Sequence, residues 1–251
     1  MLRFRGVLRG CIVAIGLAGV SPVAAEVDGW GWSIIIPSVT RTDVLGTRLR
    51  QLDEEIEARD GATPKGGVVP APVAPDPARL RYAPSRARRS ANLAAFVAKS
   101  RQRDQDAARS LEQLFAQGDI IERMGTVLAS YGMSIDNVAD AYAVWWIDAW
   151  QASHRRNEDT DKRTFAAVRA QAARALSATR ELAMADDAAK QRFAEALLLQ
   201  ALLLEGAMDQ AKANPAMSGP VADAATRGAR GMGLDIATMT LTPDGFIAAA
   251  R

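Results

Sequence analysis

The sequence predicts an all-α fold, a single bundle-like helical domain of six or seven helices behind a signal peptide, an N-terminal arm and a proline-rich linker. Three observations lead there. From residue 86 onward apolar residues recur at spacings of three and four, as they do along one face of a helix. Residues suited to helix ends interrupt that pattern at Gly118, Asp119, Gly132 and Ser134. Six of the eleven prolines fall between positions 60 and 85, ahead of the helical pattern.

Taken in order, residues 1–25 read as an export signal. Arg3, Arg5 and Arg9 form a positive start, "CIVAIGLAGV" an apolar stretch, and "SPVAA" a small-residue cleavage site after Ala25. Ten apolar residues are too few to cross a bilayer, which takes about 20. Cys11, the one cysteine of the chain, stands at the head of that stretch, whereas a lipoprotein attachment cysteine would follow it. The mature chain therefore has no thiol, disulfide or thiolate metal site. Removing three arginines and no acids leaves 28 basic against 29 acidic residues, a net charge of −1. That balance gives no support to nucleic-acid binding.

Residues 26–59 form the arm, with a β-branched stretch "WSIIIPSVT" and a short amphipathic helix through Val44, Leu45, Leu49, Leu52 and Ile56. Residues 60–85 form the linker, because proline fixes φ and lacks an amide donor. Residues 86–251 form the helical domain. Its first helix carries Leu93, Phe96 and Val97, and its second carries Ala108, Leu111, Leu114 and Phe115 up to Gly118. Asp119 with Glu122 opens a third helix that ends at Gly132. Ser134 is placed as the cap of a fourth, running to about 153. A fifth is expected from about 161 to 184 through Phe165, Val168, Ala172, Ala175, Thr179 and Leu182. The sixth, near 187–213, has leucines on every side, the mark of a buried central helix or an oligomer interface. Glu195, Gln200 and Glu205 interrupt it, and each acid would cost on the order of 3 kcal/mol at mid-bilayer, so it is not a membrane span. Asn214-Pro215 ends it, and "LTPDGF" predicts a last short helix capped by Thr242 with Pro243 in its first turn.

The segment "NVADAYAVWWIDAW" raises the question of an aromatic binding site. At 100° per residue Tyr142, Trp145, Trp146 and Trp150 share one uncharged arc about 140° wide, which is the pattern of a core face. Each buried tryptophan removes roughly 200 Å² from water, an upper value near 5 kcal/mol at about 25 cal/mol per Å². These four are expected in the core. The opposite side carries Asp140, Val144 and Asp148 at i, i+4 and i+8, either a solvated face or a polar patch in a cleft. Asp140 and Asp148, with His154 one turn beyond Trp150, are the candidate binding residues; Asp140, Asp148 and Glu205 are the candidate catalytic acids. A lone histidine cannot make an ordinary zinc site, so no metal and no cofactor is expected. The chain contains no HExxH, P-loop, G-x-S-x-G or GxGxxG pattern. A helix-turn-helix reading of "LFAQGDIIERMGTVLASYG" fails on export and charge.

Arg79, Arg81, Arg86, Arg88 and Arg89 offer a weak contact to a membrane surface or anionic polymer. The segments "IPSVTRTDVLGT", "SRARRSANLAAFVAKSR", "YGMSIDNVADAYAVWWIDAWQA" and "GLDIATMTLTPDGF" together resemble the domain of unknown function 6683 family of exported bacterial proteins. The resemblance implies export and a helical domain, and it brings no catalytic residue. The expected function is a non-catalytic envelope module that binds a partner protein or an apolar ligand, in the periplasm or outside the cell. The alternative is a carboxylate-dependent hydrolase acting on an envelope polymer, which needs two acids about 5–10 Å apart.

Overall fold

The computed structural model describes residues 77–249 apart from 103, 178, 180, 181 and 183. The leader, the arm and most of the linker lie outside the described residues. Seven α-helices and a two-stranded antiparallel hairpin make up the rest, with short 3₁₀ turns between them.

Helix α1 (Arg86–Arg101) starts at Ser85, whose hydroxyl accepts the Arg88 N–H. Asp104 caps α2 (Gln105–Ala116) by accepting the N–H groups of Asp106 and Ala107. Gly118, at φ 128°, turns the chain into α3 (Ile120–Ala129), and Asp119 accepts the Glu122 N–H at 3.1 Å. Each cap satisfies a donor that a helix start would otherwise leave orphaned, worth about 1 kcal/mol. Helix α4 (Val138–Ser153) starts later than expected, because Asn137 rather than Ser134 is its cap and accepts the Ala139 N–H at 2.9 Å. Ser134 instead gives its own N–H to Asp140.

Helix α5 (Lys162–Ser177) stops short of residue 184, although Thr179 and Leu182 beyond it are still buried. Helix α6 (Asp187–Ala213) is the long apolar one, with sixteen buried residues among its twenty-seven. Helix α7 (Ser218–Gly231), which sequence reading passed over, buries Val221, Ala222, Ala224 and Ala225 on a face made mostly of alanine.

The core is built around α4, which packs against α5, α6 and α7. Fourteen of its sixteen residues are buried, so the aspartate side is not a solvated face. Tyr142, Trp145, Trp146 and Trp150 are all buried. Tyr142 meets Trp145 and Trp146 at 5.6 and 5.8 Å between ring centroids, and Trp146 stacks on Phe246 at 4.4 Å.

The expected C-terminal helix is a hairpin instead, β1 (Met239–Thr242) paired with β2 (Gly245–Ala248). Pro243 and Asp244 form its two-residue turn, and the Thr242 hydroxyl accepts the Asp244 N–H at 3.2 Å. Gly245 takes φ 105°, and a Cβ there would lie 2.5 Å from Gln171 Oε1. That left-handed glycine suits a hairpin and opposes a helix start. The hairpin's edges are held from outside. Gln171 accepts the Phe246 N–H at 2.8 Å and donates to its carbonyl at 2.7 Å, and Trp150 Nε1 donates to the Met239 carbonyl at 2.8 Å.

Residues 77–85, counted in sequence with the linker, are packed onto the domain. Pro77–Leu80 is a 3₁₀ turn, and Leu80 and Tyr82 are buried. Tyr82 N–H donates to the Asp136 carbonyl at 3.1 Å, and its hydroxyl donates to the Ile135 carbonyl.

Candidate functional site

Two arginine–carboxylate centres and one groove gather the polar chemistry inside the described structure. The first centre is Arg89, in the opening turn of α1, where no acid balances the helix dipole. Its side chain is 3% exposed. Nε donates to Glu195 at 2.9 Å, and Nη1 donates to Asp119 and Glu122 at 2.6 Å each. Burial alone would lower the guanidinium pKa, but these three carboxylates drive it well above its ordinary value. Glu195 also accepts Gln191 Nε2 at 2.8 Å and Asn92 Nδ2 at 2.7 Å. Gln191 in turn accepts the Ser85 N–H and Arg88 Nε and donates to the Ser85 carbonyl. The network fastens α1, α3 and α6 together.

Arg89 therefore cannot take part in the basic surface patch proposed from sequence, because desolvating it is offset by partners inside the protein. Arg88 and Arg81 are engaged as well, Arg88 with Gln191 and the Ala83 carbonyl, Arg81 with Asp136 at 3.2 Å. Arg86 and Arg79 remain exposed.

The second centre is Asp140 in the first turn of α4, buried with its carboxylate 1% exposed. Oδ2 accepts the Ser134 N–H at 2.9 Å. Arg169 of α5 brings Nε to 2.5 Å from Oδ1 without the alignment of a hydrogen bond, and its Nη1 donates to the Gly132 carbonyl. Burial pushes the Asp140 pKa up from 3.8 to about 6, against the pull of the Ser134 N–H, Arg169 and Arg81. This carboxylate clamps the 130–137 segment onto α5.

Asp148 lies apart from it on the same helix. Asp148 is partly exposed and stands eight residues along α4, about 12 Å at about 1.5 Å per residue. That exceeds the separation of a glycosidase acid pair. Glu205 is buried on α6. His154, just past α4, is exposed, and its ring lies 4.5 Å from the Trp150 ring. His154 Nδ1 and the Ser153 hydroxyl both reach the Trp150 carbonyl, at 2.9 and 2.8 Å. Ser153 Oγ also lies 3.0 Å from His154 Nδ1, and the imidazole tautomer sets which of these groups donates. Among the described residues no group of three or more His, Cys, Asp or Glu is placed to hold a metal. No described helix is long and apolar enough to cross a membrane.

The groove lies between α1 and α6. Ala95, Phe96, Ala196 and Leu199 form its apolar floor, and Lys99 and Arg192 flank it. Glu195 and Asn92 line its wall, fixed by the Arg89 network. Its volume is about 60 Å³. Sequence reading missed both the network and the groove. Two signals pointed toward them: an unbalanced arginine in a helix's first turn, and Gln191 and Glu195 four apart beside a leucine run.

Over residues 37–248 the chain matches the family of unknown function DUF6683, and it belongs to that family. No curated protein and no solved structure matches it.

Proposed function

We propose that this member of the family of unknown function is an exported cell-envelope protein whose helical domain is a non-catalytic binding module, with the α1–α6 groove as its contact site. The observation that carries the reading is the groove's preorganisation. Its polar wall is locked by buried hydrogen bonds and its floor is apolar, so an occupant orders few protein groups on binding. Asp140 offers less to a hydrolase, since it is committed to Arg169 and the 130–137 segment. Export rests on the arginine-led apolar leader and its small-residue cleavage site.

Native mass spectrometry of the protein produced through its own leader tests both halves. The expected species has the mass of residues 26–251 and retains a ligand, a partner or a second subunit. Persistence of the leader overturns export with cleavage after Ala25. A bare monomer counts against binding and returns the polymer hydrolase as the working reading.

A further inference from the structure

The contacts between α1 and α6 set their register. Gln191 meets Ser85 and Arg88, while Glu195 meets Arg89 and Asn92, so the two helices run side by side in the same direction. On that register Arg192, three residues before Glu195, stands at one end of the groove. Lys99, one turn past Ala95 and Phe96, stands at the other. Arg192 is exposed and makes no ion pair or hydrogen bond with the described residues. Glu195 Oε2 receives one donor, Asn92 Nδ2. A carboxylate oxygen accepts two, so one acceptor position remains at the groove wall.

An occupant that uses all three features needs an N–H for Glu195, an anion for Arg192 and a small aliphatic group for the floor. Volume narrows the choice further. At about 60 Å³ the groove is far below the roughly 300–1,000 Å³ of a metabolite site. An acidic side chain from the middle of a polypeptide would bring flanking backbone in both directions, whereas a chain end brings it from one.

Resting on the binding reading above, we infer that the α1–α6 groove captures the C-terminal residue of a partner polypeptide, one ending in a small aliphatic side chain. The terminal backbone N–H donates to Glu195 Oε2, the terminal carboxylate meets the Arg192 guanidinium, and the side chain lies on Phe96 and Leu199. Capture of a terminal carboxylate is a recurrent recognition mode, and a guanidinium–carboxylate contact is among the stronger hydrogen-bonded pairs.

The test titrates N-acetyl-Ala-Val with a free carboxylate into the ¹⁵N-labelled mature chain, with the same dipeptide as its C-terminal amide for comparison. The acid is expected to shift the amide signals of Asn92, Ala95, Glu195 and Ala196 and to bind at least about tenfold more tightly than the amide. Arg192→Gln should erase that margin, and Arg230→Gln on α7 should keep it. Both substitutions are at exposed positions, and unshifted signals elsewhere check that the fold is intact. Equal binding of the two forms, a margin that survives Arg192→Gln, or no shift at these amides overturns the assignment. If neither peptide binds while the native mass spectrum retains a partner or ligand, the terminal-carboxylate assignment falls and the binding reading stands.

Discussion

Glu195 and Asp140 are carboxylates sunk in the same helical domain, each 1% exposed and each facing an arginine, yet they are held differently. Glu195 accepts aligned donors from Arg89, Gln191 and Asn92, on two helices. Asp140 has one aligned donor, the Ser134 N–H, and an arginine that is close but poorly aligned. The same charge at the same depth is well solvated by protein groups in one place and poorly in the other. For Asp140 the cost appears as a pKa raised to about 6. Donor number and alignment, rather than the presence of an arginine, decide whether a buried carboxylate rests easily.

The largest expected effect follows from breaking the better-satisfied centre. Arg89→Met leaves Glu195 buried without its cation and should cost about 3–5 kcal/mol, measured by urea unfolding. The double change Arg89→Met with Glu195→Leu should recover much of that, and failure to recover would mean that Asp119 and Glu122 carry the loss.

Asp140 should show itself through pH. Its folded pKa, about 6, lies above its ordinary 3.8, so the native state holds this proton more tightly than the unfolded chain does. The contribution is fully present below about pH 4 and is lost as pH rises through about 6. It amounts to about 3 kcal/mol at about 1.4 kcal/mol per pH unit. Unfolding free energies measured from pH 4 to 7.5 in the wild type and in Asp140→Asn should differ by a term of that sign. An Asp140→Asn profile with the wild-type slope would remove Asp140 as its source.

A smaller loss is expected at a neutral, half-buried contact. Gln171→Ala leaves the Phe246 N–H and carbonyl without partners and should cost about 1–3 kcal/mol, with faster amide exchange confined to the hairpin. Smallest of all is the half-exposed Arg101–Glu112 pair. Glu112→Gln should change stability by no more than about 0.5 kcal/mol, and by less in high salt. A larger effect there would break the rule that burial and alignment set the scale.

Much of the helical architecture is legible from local pattern. Asp104, Asp119 and Asp186 cap α2, α3 and α6 through N–H groups two or three residues ahead. Such contacts are visible in any short window of sequence. The burial of Tyr142, Trp145, Trp146 and Trp150 likewise agrees with the single uncharged arc they share. Where local signals competed, the window was insufficient. Thr242-Pro243 fits a helix start, but Gly245 at φ 105° and the Gln171 contacts to Phe246, 75 residues away in sequence, favour a hairpin. Ser134 looks like a cap, but a buried Asp140 claims its N–H.

The sequence by itself determined the helical class, most helix starts and the aromatic core stripe, because capping and periodicity act within one or two turns of chain. Only the tertiary structure decided that α4 is covered on most of its circumference, that Arg89 belongs to the interior, and that α1 and α6 frame a groove. Those outcomes join residues far apart, Arg89 with Asp119, Glu122 and Glu195 across 30, 33 and 106 positions. A charged side chain is buried only where enough partners converge to replace its water, and that convergence is a property of the packed helices.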